Sequence, residues 1–163
     1  MRYAYYPGCS LKGTAIDYHD SAMALTKRLG IDLVEMEDWV CCGASPIHQR
    51  NPMMAAGVAN LLLSLSDGIS SQIAVLCAAC YHNMKKAEVD LREHKQKRRE
   101  VEEISGIPYN PEVRTRHLLD ILDKDFTLEA LKGPSAVSRC LACHLGTCPG
   151  VRLMPILPQP GQA

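Results

Sequence analysis

The chain has 163 residues, 47% hydrophobic and 22% charged, with Lys plus Arg balancing Asp plus Glu at 18 each. This length suffices for one domain with a real core. The zero net charge argues against a global field that would draw the protein to nucleic acid or anionic lipid, and no segment approaches the ~20 apolar residues of a membrane span.

Arg2–Tyr6 is short, aromatic-rich and stops at Pro7-Gly8, the pattern of a strand entering a tight turn. A helix is expected over Thr14–Leu29, where Ala15, Tyr18, Ala22, Leu25 and Leu29 recur at three- and four-residue intervals and Gly30 stands as the stop. Ile31–Met36 reads as a second strand, and Trp39-Val40 leads into Cys41-Cys42-Gly43. Asn51-Pro52 opens a helix over Pro52–Leu65, with Asn51 as cap and Pro in the first helical position. Ile73–Leu76 is fully apolar, as in a strand buried on both faces. A long polar helix is expected from Ala78 to about Val101, and a short amphipathic one over Thr115–Leu122.

Alternation of strands and helices implies right-handed crossovers and a parallel sheet, hence an α/β, Rossmann-like fold with flanking helices. Ligands of such sheets gather at the carboxyl ends of the strands. Cys9 follows the first expected strand, Cys41 and Cys42 the second, and Cys77 and Cys80 the third. Topology alone therefore brings five cysteines to one edge.

The opening residues hold no apolar stretch of signal length and no cleavage site, so a cytoplasmic protein is expected. Eight cysteines in such a chain point to metal or redox chemistry rather than structural disulfides. Adjacent Cys41 and Cys42 cannot readily bond each other, but both can bind a metal cluster. Cys77-Ala-Ala-Cys80 stands at a helix start, where backbone N–H groups and the macrodipole favour thiolate. Ala78, Ala79, Gly8 and Gly43 leave room for a bulky inorganic core. An iron–sulfur cluster is the leading reading. A zinc-binding structural module is the alternative, since four of these sulfurs could hold a tetrahedral Zn²⁺; zinc motifs, however, usually carry two spaced pairs.

Cys9, Cys41-Cys42-Gly43 and Cys77-Ala-Ala-Cys80, with the opening Tyr-Tyr-Pro-Gly-Cys-Ser-Leu, resemble the CCG-domain family, most closely the B-type subunit of heterodisulfide reductase. The resemblance covers residues 1–133. It implies a noncubane [4Fe-4S]-type cluster held by Cys9, Cys41, Cys42, Cys77 and Cys80. It also implies an oxidoreductase acting on a sulfur group, a disulfide such as that of coenzyme M and coenzyme B. The partners it implies are two further subunits, one ferredoxin-like and one carrying flavin. The alternative within the family is an electron-relay subunit of a lactate-, glycolate- or succinate-type oxidoreductase. The family's reductases have two such motifs in the corresponding polypeptide and this chain has one, so the single-motif chain alone is expected to lack the full reaction. Residues 134–163 read as the start of an incomplete second repeat or a disordered tail. Cys140-Leu-Ala-Cys143-His144 matches a haem-attachment pattern, but that attachment needs export, and we read these residues first as a remnant of the second motif and second as a surface metal site with Cys148.

His48 and His82 are weak candidates for a role beside the cluster, through a hydrogen bond to sulfur or proton delivery. Tyr5, Tyr6 and Trp39 flank the cysteine turns and are read first as core. Lys85, Lys86 and Arg92 are read as a solvated helix face.

Overall fold

A computed structural model describes residues 1–44 and 51–126. The chain divides into two units, Met1–Asp125 and Phe126–Ala163. The elements of the first unit, in chain order, are β1 (Arg2–Tyr6), α1 (Gly8–Leu11), α2 (Ile16–Arg28), β2 (Asp32–Glu35), α3 (Pro52–Ser64), β3 (Gln72–Val75), α4 (Ala78–Glu93), α5 (Lys95–Ser105), β4 (Arg114–His117) and α6 (Leu118–Asp125).

The four strands form one parallel sheet in the order β2-β1-β3-β4. β1 is central: Tyr5 pairs with Glu35 of β2 and Ala74 of β3. Because both faces of β1 are covered, Tyr3, Ala4, Tyr5 and Tyr6 are all buried, which explains a strand without polar alternation. Chain order runs outward in both directions from β1, so the end of that strand is the switch point where open sheets of this kind bind ligands. Cys9 lies there, in α1.

The N-terminus of α3 forms as its sequence dictates. Asn51 is extended and its Oδ1 accepts the N–H groups of Met53 and Met54, each at 3.1 Å, with Pro52 at the first position. Ala55, Ala59, Leu62 and Leu63 form its buried face.

Four local expectations are corrected. The buried face of α2 centres on Ala22 and Thr26, while Tyr18 is exposed; Tyr5 Oη meets His19 Nδ1 at 2.8 Å and draws the His19 side of the helix inward. The expected helix from Ala78 to Val101 breaks at His94, which is extended. Met84, Ala87 and Leu91 form the buried stripe of α4, but its continuation falls on Lys95 and Arg98, and the next buried apolar residue is Val101. On a straight helix the stripe of α4 would run on through Lys95 and Arg98; with the break at His94 neither of them is buried. Thr115–Leu122 is not one helix: β4 precedes α6. Only Thr115 of β4 is buried, so a period-2 apolar signal is absent. Its partner is the free edge of β3, and the arginines of β4 suit an outer strand. Arg116 is held by Asp120 at 2.9 Å and Asp125 at 2.6 Å, which keep its guanidinium charged.

Finally, Lys85 and Arg92 are not merely a solvated face. Both bind Glu88, a fully buried carboxylate of α4 whose Oε2 also accepts the Thr115 N–H at 2.7 Å. Burial pushes the Glu88 carboxyl up, but Thr115 N–H, Lys85 and Arg92 together hold it below its ordinary value. Glu88 thus ties α4 to β4.

Candidate functional site

The carboxyl ends of β1, β2 and β3 carry the five cysteines to one rim. Cys9 is exposed in α1, Cys41 exposed and Cys42 buried after β2, Cys77 half-buried as the cap of α4, and Cys80 buried in its first turn. Cys42 Sγ and Cys80 Sγ are 3.2 Å apart, and Cys41 Sγ and Cys9 Sγ 3.8 Å apart. The rim therefore has an inner sulfur pair and an outer one.

Glycines make this approach possible. Gly8 has φ +68°, a left-handed conformation, and a Cβ there would lie 3.2 Å from Cys80 Sγ and 3.2 Å from the Tyr6 ring. Gly43, with φ +70°, turns the chain back immediately after the adjacent cysteines. The backbone at Gly8 thus lies against the inner sulfur with no side chain between.

Tyr6 underlies the rim. Its Oη donates to the carbonyl of Val40 at 2.9 Å, and Trp39 meets its ring edge-on with centroids 5.6 Å apart. Burial and the charges of Cys42, Cys80 and Cys41 raise its pKa, so it remains a donor. Asn83 Nδ2 reaches the Cys42 carbonyl at 3.5 Å and Cys42 Sγ at 3.9 Å. The Cys80 thiol, with the Ala44 N–H, Asn83 and Tyr6, overcomes burial and lowers the Cys42 thiol to about 6, while the hydrogen bond with Cys42, then burial, push Cys80 up. At Cys41 the Gly43 N–H favours thiolate, but burial and the neighbouring Cys9 and Cys42 raise the pKa.

Sequence reasoning passed over Asn83. It lies three residues beyond Cys80, on the same helical face, and that spacing was its signal. His82 is exposed in the first turn of α4. His48, Cys140, Cys143 and Cys148 lie outside the described residues. The outer flank is partly apolar, with Val40 42% and Tyr18 43% exposed, and the charge of Cys77 adds to burial in raising the Tyr18 pKa.

The donor set fits a multi-iron cluster better than one ion. Its sulfurs stand as two pairs, Cys42 with Cys80 and Cys41 with Cys9. A cluster bonds several irons separately, each needing few protein ligands, whereas structural zinc takes four around one centre.

Comparison with known proteins gives two relatives. Over 90 residues the chain is 36% identical to the 8-methylmenaquinol:fumarate reductase membrane anchor subunit of Wolinella succinogenes, covering 55% of this chain and 31% of that protein. Over 138 residues it is 28% identical to a protein of Archaeoglobus profundus that is like the B-type subunit of heterodisulfide reductase, covering 81% of this chain and 46% of that one. The matches thus span less than half the length of either relative. The pattern of the cysteine-rich domain CCG matches residues 3–85, the stretch that contains all five rim cysteines, and the chain belongs to that family.

Proposed function

We propose that Cys9, Cys41, Cys42, Cys77 and Cys80 hold a noncubane [4Fe-4S]-type cluster, and that the chain is an electron-transferring iron–sulfur subunit of a heterodisulfide-reductase-type complex. The observation that carries this reading is the meeting of paired sulfurs from three strand ends against the bare backbone of Gly8. When bound, such a cluster supplies electrons to a sulfur substrate or to a neighbouring centre.

The chain's own residues do the rest. Gly8 and Gly43 leave space for the core at the inner pair. Asn83 donates toward Cys42 sulfur and lowers the negative charge that this ligand places on the core. Tyr6 holds the turn before Cys41, and the buried Tyr6, Met36 and Met84 back the rim. Cys9 and Cys41 stand exposed, so substrate or partner approaches from the outer pair. The substrate is a disulfide or thiol, and the complex is completed by two further subunits, one ferredoxin-like and one carrying flavin.

A second reading is an electron relay within a quinol- or succinate-linked oxidoreductase, favoured by the likeness to the Wolinella succinogenes protein. Anaerobic purification followed by analysis of iron, zinc and acid-labile sulfide tests both. Iron with sulfide supports a cluster; zinc alone sinks both readings. EPR of the oxidised protein with a candidate thiol separates them. A thiol-dependent signal supports disulfide chemistry, and a signal indifferent to thiol supports the relay.

A further inference from the structure

His117 is the last residue of β4 and reaches back 41 residues to Leu76, at the entry to the cysteine turn. Its Nε2 is 2.8 Å from the carbonyl oxygen of Leu76, the residue immediately before Cys77. Its Nδ1 accepts the N–H of Leu119 at 3.2 Å. A backbone N–H can only donate, so Nδ1 is the unprotonated nitrogen and the proton sits on Nε2, directed at Leu76. The ring also meets Tyr81 edge-on, with centroids 5.7 Å apart and planes at 80°. Leu76 and Tyr81 bracket Cys77-Ala-Ala-Cys80, so one imidazole touches both sides of that turn.

Leu76 is buried, 2% exposed, and stands one residue past the end of β3. A buried carbonyl needs a donor, and His117 is one. Because the peptide is planar, fixing the Leu76 carbonyl also fixes the Cys77 N–H on the same unit. The arrangement has a counterpart: Tyr6, the last residue of β1, donates to the carbonyl of Val40, the residue immediately before Cys41. In both turns a strand-ending side chain grips the carbonyl that precedes a cysteine.

We propose that His117 is a positioning residue for Cys77, setting the Leu76–Cys77 peptide and through it the reduction potential of the bound cluster; the part concerning potential rests on the cluster reading above. Without the Nε2 donor the carbonyl's partial negative charge is left uncompensated beside the site. That favours the oxidised state and lowers the potential.

Two substitutions separate this role from a simple helix cap. His117→Asn retains an acceptor for the Leu119 N–H but is too short to reach Leu76. His117→Gln is longer and restores a donor toward the carbonyl. In metal-free protein, alkylation of each cysteine is followed by mass spectrometry; losing one net hydrogen bond speeds Cys77 by about fivefold in H117N, with Cys9 unchanged and H117Q closer to the parent. In iron-loaded protein, a redox titration followed by EPR gives a lower potential for H117N, recovered in H117Q. Parental rates and potential in H117N overturn the proposal. Equal acceleration at Cys9 and Cys77 also overturns it, because that is general loosening. A parent protein that takes up no iron and sulfide overturns the cluster reading instead, and the Cys77 rate in metal-free protein still decides whether His117 holds the turn.

Discussion

At the scale of single residues, the site depends on what is missing from Gly8 as much as on the sulfurs. Its φ of +68° costs an ordinary L-residue about 1–2 kcal/mol. A methyl group there would also press on Cys80 Sγ and the Tyr6 ring, both 3.2 Å away. Gly8→Ala is therefore expected to lower the unfolding midpoint and to reduce bound iron per chain. Thermal unfolding and iron analysis of the same preparation check this; full iron occupancy in the variant would show that the cradle is unnecessary. The five cysteines, Gly8 and Gly43 were legible from motif and turn chemistry alone. Asn83 and the clamp residue His117 were not, because hydrogen bonds to a sulfur or to a turn carbonyl leave no periodic trace.

At the scale of elements, local and long-range forces can be told apart. The start of α3 is local: Asn51→Ala removes the acceptor for two N–H groups and is expected to cost about 1 kcal/mol, read as a lowered midpoint in denaturant with an unchanged slope. The joint between α4 and β4 is long-range, and Glu88 is its centre. The folded carboxyl lies below its ordinary value of 4.5. Its stabilisation is therefore complete above that value and is lost as pH falls through the lower folded pKa. Glu88→Gln is expected to cost about 2 kcal/mol near neutrality, as one partner of a buried charged network is removed. The difference from the parent should shrink on acidification. Denaturant curves at several pH values check the sign; a constant difference down to acid pH would count against a charged Glu88. The division of α4 from α5 was partly legible, since the apolar stripe lapses after Leu91 and resumes at Val101. Strand β4 was not, since Arg-Thr-Arg-His carries one buried residue and owes its conformation to the edge of β3.

At the scale of the whole molecule, loops from three strand ends depend on one shared core. A group that binds the folded chain and not the unfolded one stabilises by mass action, about 2.7 kcal/mol at a hundredfold excess over its dissociation constant. Iron-loaded protein is expected to unfold several degrees above the metal-free form, and air oxidation that destroys the cluster should remove that gain. Calorimetry under anaerobic conditions checks this, and identical midpoints would argue that the rim is already rigid without metal. Among the described residues no helix is long and apolar enough to cross a membrane.

Strand–turn–helix order, the parallel sheet and the placing of cysteines at its carboxyl edge were determined by the sequence itself. Periodicity, Gly and Pro punctuation and the Asn51 cap act within a few residues, where chain connectivity already limits the geometry. Which sulfurs pair, which side of α2 turns inward, where a fourth strand attaches and which side chain grips the Cys77 turn were decided only by the tertiary structure. Cys42 meets Cys80 across 38 residues and His117 meets Leu76 across 41. Contacts at such separations exist only after the sheet has closed its register, so their partners are chosen by packing and by the need to satisfy buried polar atoms.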